Sequence, residues 1–309
     1  MKEFALAVHG GAGVIPRNFA DKIKQEYLDG LEEALKVGLV ILQKGGASLD
    51  AVEATVKTLE DNLKFNAGKG SVFNHEGNHE MDASIMNGTD LSCGAVAGIR
   101  GVKNPIKLAR LVMERTVHVA LVGLGAEQFA QKMNVEFCDN DYFYSQLRYD
   151  QWTKAKERDS IRLDHSVDDD SQTKEKGTVG AVALDKNGNL AAATSTGGLT
   201  NKKYGRLSDS SQIGCGNYAN NKTCAVSCTG TGEEFIRHVV AYDIHSQMIY
   251  KGLSLEQAAH NVVHQTLKPD DGVIIAVDNL GDIVFDYNSL GMFRAAADSE
   301  NMYEVKIWE

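Results

Sequence analysis

A threonine that follows a charged segment is the residue best placed to do chemistry in this sequence. The chain reads Gly177-Thr178 and continues as Val179–Leu184, an apolar run typical of a β-strand. A threonine hydroxyl becomes a nucleophile when a base removes its proton, and a threonine at the start of a chain carries that base as its own α-amine. An α-amine has a pKa of about 7.7 to 8, so a useful fraction is unprotonated near neutral pH.

We therefore predict that the chain is cut between Gly177 and Thr178. Glycine before the cut accepts the strained backbone that brings the hydroxyl to the preceding carbonyl. An isolated Gly-Thr pair is more often an ordinary start of a strand, so this prediction depends on what else the sequence contains.

Two other segments bring hydroxyls and glycines together in the same half of the chain. Residues 194–198 (TSTGG) and 229–232 (TGTG) each end an apolar run. Such groups at strand ends suit acyl transfer, one as the nucleophile and others facing the developing oxyanion. Between them lie Arg206 and Asp209, which fit the carboxylate and the ammonium of a free amino acid. The alternative for this pair is a solvated surface ion pair.

Three further motifs are interpreted as structural. Residues 75–79 read HExxH, but that motif binds zinc only from a helix. The Gly-Asn at its centre favours a hairpin turn between strands at 72–73 and 81–86. Residues 68–71 (GKGS) lack the first glycine of a phosphate-binding loop, and residues 9–13 (HGGAG) lack the spacing of a dinucleotide site. His9 is predicted to be a hydrogen-bonded histidine at the end of a strand rather than a catalytic one.

The composition is that of a globular protein, with 309 residues of which 43% are hydrophobic and 24% charged. The formal net charge of −10 argues against nucleic acid and anionic membrane surfaces as partners. The sequence shows no secretion signal and no apolar run long enough to cross a bilayer, so we predict a cytoplasmic protein whose five cysteines are buried thiols.

Hydrophobic periodicity predicts helices and strands that alternate in blocks through both halves of the chain. The predicted helices span residues 19–44, 48–59 (with Ser48 as its cap), 105–114, about 126–132, 233–250 and 254–267. Asn187-Gly188 predicts a hairpin between strands at 179–184 and 190–196. Residues 154–176 are roughly half charged and are typical of a flexible linker. The pattern favours two sheets packed face to face with helices outside.

With these segments in view, the sequence closely resembles the plant-type L-asparaginase and isoaspartyl aminopeptidase family of N-terminal nucleophile hydrolases. The resemblance extends over nearly the whole chain. It is carried by HGGAG, FNAGKGSVF, HEMDASIMNG, GAVAG, NPIKLARLVME, GTVGAVALD, NLAAATSTGG, GRLSD, SCTGTGE and GMFRA. It implies an α+β fold, a four-layer αββα sandwich with two mostly antiparallel sheets. It also implies cleavage into an α subunit (residues 1–177, with a flexible linker from about 154 to 177) and a β subunit (178–309), both parts of one domain, and a dimer of such αβ units.

The resemblance also assigns roles to single residues. Thr178 would be the nucleophile, Thr196 a supporting hydroxyl, Arg206 the ligand of the substrate α-carboxylate and Asp209 that of its α-ammonium. The remaining implied site residues are the oxyanion-hole pair Thr229 and Gly230 and the substrate-binding residues Asn66 and Gly232.

No catalytic cofactor is implied, but a structural sodium ion is. Its expected ligands are the backbone carbonyls of Leu59, Glu60, Phe65, Ala67 and Lys69. The implied reaction is attack of Thr178 on the side-chain carbonyl of L-asparagine or of a β-aspartyl dipeptide. A β-aspartyl ester forms, ammonia or an amino acid leaves, and water then releases aspartate.

Several alternatives stay open at this point. The chain could be a glycosylasparaginase, a taspase-like endopeptidase or an unprocessed, non-catalytic relative. It departs from the family pattern at Ser208, Ser211 and Asp270-Asp271. Serine at a position that needs a positive φ would carry strain, so these residues are expected to alter the shape of the pocket and its preference between substrates.

Overall fold

The structure, a computed structural model, describes residues 2–13, 20–158 and 175–308. Its strands are β1 (Ala5–Gly13), β2 (Met81–Asn87), β3 (Cys93–Ile99), β4 (Ala120–Val122), β5 (Glu175–Lys176), β6 (Val179–Leu184), β7 (Leu190–Thr196), β8 (Asn217–Ala219), β9 (Cys224–Gly230), β10 (Gly272–Asp278), β11 (Ile283–Tyr287), β12 (Gly291–Asp298) and β13 (Tyr303–Lys306).

Its helices are α1 (Asp21–Gln43), α2 (Ser48–Glu60), α3 (Pro105–Arg115), α4 (Gly123–Lys132), α5 (Asn140–Phe143), α6 (Gln146–Glu157), α7 (Gly232–His238), α8 (Val240–Lys251) and α9 (Leu255–Asn261). Short 3-10 turns occur at Gly68–Gly70 and Asp209–Ser211, and a π-helical turn at Val262–Thr266 follows α9. None of the helices in the described ranges is both long and apolar enough to cross a membrane.

The strands form two sheets. The larger has the order β13-β12-β1-β6-β7-β2-β3-β4, with β5 added to β1, and the smaller has the order β11-β10-β9-β8. Every described pairing between strands is antiparallel except that of β3 with β4. Helices α1 to α4 pack on the larger sheet, and α8 and α9 pack on the smaller one. The predicted αββα sandwich is confirmed.

Side-chain alternation along the central strands explains why two sheets stack. In β1, Leu6 and Val8 belong to the core shared with the outer helices, whereas Ala5 and Ala7 belong to the core shared with the second sheet. Successive residues of a strand point to opposite faces, so a strand that is apolar at every position must be covered on both sides. Alanine on the inner face lets the second sheet approach closely.

The hairpin predicted at Asn187-Gly188 is confirmed, since β6 and β7 pair from Val179–Ser195 to Leu184–Leu190. Gly188 has φ +79°, the left-handed value that such a turn requires. This hairpin lies at the centre of the larger sheet, with β6 between β1 and β7. Thr178 therefore stands immediately before one of the best-covered strands of the protein.

Some element predictions were wrong or incomplete. The single helix predicted over 233–250 is broken at Val239, which has φ +50°, so α7 and α8 are separate helices. Residues 72–73 form no strand, and β12 and β13 were not predicted, although β12 pairs with β1 along most of its length. Ser48 is the first residue of α2 rather than its cap, and its amide donates to Asp185 Oδ2 (2.9 Å).

The segment predicted as a linker is described only at its two ends. Helix α6 runs through to Glu157, so residues 154–157 are helical, and β5 pairs with Ala12 and Gly13 of β1. Residues 159–174 lie outside the described residues. The backbone that leads into Gly177 is thus attached to the larger sheet just before the predicted cut.

Candidate active site

Two hydroxyls meet at the point where β6 begins. Thr178 Oγ1 donates to Thr196 Oγ1 at 3.2 Å, and Thr196 Oγ1 donates in turn to the carbonyl oxygen of Gly177 at 3.0 Å. The chain is unbroken between Gly177 and Thr178 in this structure. Because the Thr196 hydroxyl donates its one proton to the Gly177 carbonyl, it can only accept a hydrogen bond from the Thr178 hydroxyl. The proton of the Thr178 hydroxyl is thereby directed away from the Gly177 carbonyl, and the oxygen's lone pairs stay available.

The Gly177 carbonyl has a second donor. Asn66 Nδ2 donates to the Gly177 oxygen and to that of Gly198, both at 2.8 Å. Asn66 is fully buried, and its Oδ1 accepts from the amide of Val72 at 3.0 Å, which fixes the orientation of the amide group. Two donors on one carbonyl oxygen are the arrangement that stabilises negative charge when a nucleophile adds to the carbon.

His9 lies behind Thr178 but does not reach its hydroxyl. Its Nδ1 lies 3.0 Å from the Thr178 carbonyl oxygen and its Nε2 lies 2.9 Å from Ser227 Oγ. A carbonyl only accepts, so Nδ1 carries the proton and Nε2 accepts from Ser227. Burial lowers the pKa of His9 to about 3, so the ring stays neutral. The predicted hydrogen bonding of His9 is confirmed, and its non-catalytic role stays a prediction.

Gly180 explains why this pair of polar side chains fits between the sheets. A Cβ on Gly180 would lie 2.0 Å from Ser227 Oγ and 2.4 Å from His9 Nε2. No side chain is tolerated at these distances, so glycine is required here for steric reasons. The His9–Ser227 contact joins β1 of the larger sheet to β9 of the smaller one directly below the predicted nucleophile.

Two glycines, Gly198 and Gly232, leave room for the side chains of Arg206 and Asp209. A Cβ on Gly232 would lie 2.7 Å from both Arg206 Nη2 and Asp209 Oδ1. A Cβ on Gly198, two residues after Thr196, would lie 3.5 Å from Arg206 Nη1. Gly232 therefore lies against Arg206 and Asp209, and Arg206 lies near the backbone that follows Thr196.

Buried hydrogen bonds hold the loop that carries Arg206 and Asp209. Asp82 Oδ2 accepts from the amide of Ser208 and Ser84 Oγ donates to the carbonyl of Ser210, at 2.8 and 2.6 Å. Ser208 has φ −89°, an ordinary value, so the strain expected from serine at this position is absent. Asp270 does have a positive φ, +67°. Asp271, the next residue, accepts a hydrogen bond from the Thr231 hydroxyl through its carboxylate and one from the Thr231 amide through its carbonyl. Thr231 precedes Gly232, the glycine that lies against Arg206 and Asp209.

Asp209 is a buried carboxylate with an unused oxygen. Its side chain lies against Gly232 and Gly216, and Oδ2 has no hydrogen-bond partner among the described residues. Burial raises its pKa to about 7, although the charge of Arg206 works in the opposite direction. A buried carboxylate without a donor on one oxygen is costly unless a ligand supplies one, so this group is suited to an ammonium.

Arg206 is already paired. Its Nε and Nη2 donate to the two carboxylate oxygens of Glu233, at 2.9 and 3.1 Å. Burial alone would raise the pKa of Glu233, but the hydrogen bonds from Arg206 hold this pKa below its ordinary value. A carboxylate ligand of Arg206 therefore uses Nη1 or displaces Glu233. Sequence reasoning missed Glu233, although its position directly after Gly232 was the available signal.

The side-chain roles of two further buried ionisable residues were also missed. Lys202 donates from Nζ to the Glu80 carbonyl at 2.7 Å, and burial lowers its pKa. The Glu60 carboxyl accepts from Ser195 Oγ at 2.7 Å and from the amide of Ile106 at 2.9 Å. Burial raises the pKa of Glu60 to about 8. Glu60 thus ties the end of α2 to the residue that precedes Thr196.

Thr229 and Gly230 end β9. Thr229 faces the larger sheet like Ser227, two residues earlier, and its buried Oγ1 has no hydrogen-bond partner in the described part of the chain. A Cβ on Gly230 would lie 2.1 Å from the ring of Phe235 and 2.2 Å from the Asp271 carbonyl. The oxyanion role of both residues stays a prediction.

The loop after α2 carries the expected sodium ligands, and Leu59, Glu60, Phe65 and Ala67 are fully buried there. The oxygens of Phe65, Leu63 and Asn62 lie 2.1, 2.8 and 3.0 Å from the point that a Cβ on Gly70 would occupy, so these carbonyls pack closely around the Gly70 backbone and leave no room for a side chain. The list of expected ligands contains one of these three, Phe65. The Leu59 and Ala67 carbonyls accept from amides within the loop, and buried Arg148 donates to the Gly70 carbonyl at 3.0 Å.

The HExxH segment is a turn, which confirms its structural interpretation. Gly77 has φ +80°, and the two histidines have different partners. His75 Nδ1 lies 2.8 Å from Asn201 Oδ1, whereas His79 Nδ1 lies 2.9 Å from the Ser71 carbonyl and its ring packs on Phe73.

The chain is similar to known proteins over almost its whole length. The family described as Asparaginase matches residues 2–307. The chain is 47% identical to an isoaspartyl peptidase of Salmonella typhimurium, covering 96% of this chain and 95% of that protein, and 46% identical to an isoaspartyl peptidase of Escherichia coli, covering 96% and 93%. It is 42% identical to an isoaspartyl peptidase/L-asparaginase of Bos taurus, covering 96% and 94%. The match spans almost every described element, and the chain belongs to this asparaginase family.

Proposed function

We propose that the protein is a threonine amidohydrolase that converts L-asparagine to L-aspartate and ammonia and cleaves N-terminal isoaspartyl dipeptides. The observation that carries this proposal is the Thr178–Thr196 hydroxyl pair, 3.2 Å apart, beside a Gly177 carbonyl with two donors. Full-length relatives whose names give these two activities support the choice of substrate. None of the relatives compared above carries the name of the rival glycosylasparaginase or endopeptidase.

The first step is cleavage of the chain itself. Thr178 Oγ attacks the Gly177 carbonyl carbon, and Asn66 and Thr196 donate to the oxygen as it becomes negative. The acyl group moves from nitrogen to Oγ while the hydroxyl proton passes to the nitrogen, and water then hydrolyses the resulting ester, which leaves Gly177 as a carboxylate and restores the Thr178 hydroxyl. The products are residues 1–177 and 178–309, and Thr178 gains a free α-amine.

The second step uses this amine as the base. With a pKa of about 7.7 to 8 it accepts the proton of Oγ, which attacks the side-chain carbonyl of the substrate. Ammonia, or the amino acid of a dipeptide, takes the proton and leaves, and water cleaves the β-aspartyl ester. Thr229 and Gly230 are proposed to hold the oxyanion, and Arg206 and Asp209 the head group of the substrate.

A structural sodium ion is proposed at the loop after α2. Neutral backbone carbonyl oxygens are the donors that a monovalent cation takes, and this loop carries several of them on fully buried residues. Leu59, Glu60, Phe65, Ala67 and Lys69 remain the proposed ligands. Asn66 lies within this loop, so the ion would steady the donor to the Gly177 carbonyl and would take no part in bond breaking.

Replacement of the nucleophile tests the proposed function directly. Thr178→Ala lacks the attacking oxygen, so we expect one uncut chain with no release of ammonia from L-asparagine and no cleavage of β-Asp-Leu. Thr178→Ser keeps a hydroxyl and should retain both. Denaturing gels and rates on L-asparagine, β-Asp-Leu and a glycosylated asparagine give the answer. A Thr178→Ala protein that still divides in two or hydrolyses either of the first two substrates contradicts the proposal.

Replacement of Thr196 tests the donor pair on the Gly177 carbonyl. Thr196→Val keeps the volume but removes one donor, and loss of one such donor costs about 10²- to 10³-fold in rate. We expect self-cleavage to slow by this factor, followed by gel densitometry of freshly purified protein. Thr58→Val is the matched control, because Thr58 Oγ1 only donates to Ala54 within α2. Equal cleavage rates in both variants would exclude Thr196 from the step.

The raised pKa of Asp209 predicts a pH dependence of binding. An ammonium is bound by the carboxylate form, so affinity for the product L-aspartate should fall as pH drops through about 7, by up to about tenfold per unit. The charged neighbours of Asp209 are Arg206, Glu233 and Asp82. Protonation of the Thr178 amine would act in the opposite direction, because it adds a positive charge near a ligand whose net charge is negative.

The measurement is the inhibition constant of L-aspartate between pH 5.5 and 8.5. In Asp209→Asn the constant should be higher at high pH and should lose its rise toward acid. A wild-type inhibition constant that does not change across this range would remove Asp209 from ammonium binding.

A further inference from the structure

A cluster of two histidines and one aspartate lies outside the site described above. His260 is near the end of α9, His264 is in the π-helical turn that follows, and Asp286 is on β11. One ligand atom from each of the three lies within 4.8 Å of the others. His264 Nε2 is 2.7 Å from Asp286 Oδ1, His260 Nδ1 is 3.9 Å from Asp286 Oδ2, and the imidazole centroids are 4.5 Å apart.

The strand pairing places this His–His–Asp cluster on the outer side of the smaller sheet. Asp286 pairs with Ile274, and Ile274 pairs with Cys228, so the three residues share one face. Ser227, next to Cys228, faces the larger sheet, where it contacts His9. Successive residues of a strand point to opposite faces, so Asp286 faces the helix layer. The sheet therefore separates the cluster from Thr178, and the proposed amidohydrolase reaction does not use it.

The donor set favours a transition metal. Imidazole nitrogen suits zinc, nickel, copper and iron, whereas magnesium and calcium prefer oxygen ligands. Zinc bonds of about 2.0 to 2.1 Å in a tetrahedron place neighbouring donors about 3.4 Å apart. The present separations bracket this value, since one donor pair is at 2.7 Å and the widest lies within 4.8 Å. His260 is 61% exposed and His264 36%, so both rings have room to turn toward a common point.

We propose that His260, His264 and Asp286 bind one divalent transition-metal ion, for which zinc is the probe. The ion would replace the direct His264–Asp286 hydrogen bond and join the segment after α9 to the edge strand β11. A cavity of about 450 Å³ bordered by His264 and Asp286 leaves space for water in the remaining coordination position. This position is open, as in zinc sites that exchange a ligand.

Isothermal titration of untagged full-length protein with zinc chloride tests the proposal. We expect one zinc per chain, no comparable heat with magnesium chloride, and a melting temperature that rises with zinc concentration. His260→Ala, His264→Ala and Asp286→Asn should each weaken zinc binding by more than about tenfold, since loss of a group that merely supports a ligand already costs about 10- to 100-fold. His238→Ala is the matched control, because His238 is an exposed histidine near a single carboxylate, Glu234.

The outcomes separate a metal site from an ordinary ion pair. Binding that is lost in the three cluster variants and kept in His238→Ala supports the proposal, and the rate of asparagine hydrolysis should be the same in His260→Ala as in the wild type. Absence of zinc binding in the wild type, or equal binding in the cluster variants, overturns it. His260→Ala alters an exposed ring, so its folding is not at risk, and it remains decisive even if Asp286→Asn is unstable.

Discussion

The carbonyl oxygen of Gly177 is the constraint on which the site depends. It is held by Asn66 from the loop after α2 and by Thr196 from the end of β7, while β5 attaches the preceding backbone to β1. These contacts fix the peptide between Gly177 and Thr178 from both sides. They also direct the Thr178 proton toward Thr196 and leave the attacking oxygen free. A peptide bond held this way is arranged for addition at its carbon rather than for simple structural support.

The sandwich supplies the rigidity that this arrangement needs. His9 and Ser227 join the two sheets under Thr178, and the neutral ring of His9 holds the Thr178 carbonyl on the side away from its hydroxyl. Polar groups buried in this way are stable only when each donor and acceptor has a partner. Glycine at position 180 makes the contact possible, because any side chain would occupy the place of Ser227 Oγ.

Much of this was predictable from residue types and spacing. Asn187-Gly188 predicts the central hairpin because its turn needs a positive φ, and the apolar runs predict strands covered on both faces. The nearness of Thr178, Arg206 and Asp209 came from the resemblance to a known family. The break at Val239 and the pairing of β12 with β1 depend on tertiary contacts that a local pattern does not encode.

The side-chain roles that were missed have the same physical origin. Glu233, Lys202 and Glu60 look like ordinary surface charges in the sequence, and only burial gives them their partners. The prediction of strain at Ser208 was wrong, because the backbone there has an ordinary φ and its amide is held by a hydrogen bond to Asp82. Local reasoning identifies which chemistry a residue offers, whereas the fold decides which groups stay charged and which contacts are made.

The most direct test of the central claim is the intact mass and N-terminal residue of the fragments in an active preparation. We expect two fragments that correspond to residues 1–177 and 178–309, with threonine as the first residue of the second. An active preparation that contains only the unbroken chain, or a second fragment that begins at another residue, would contradict it.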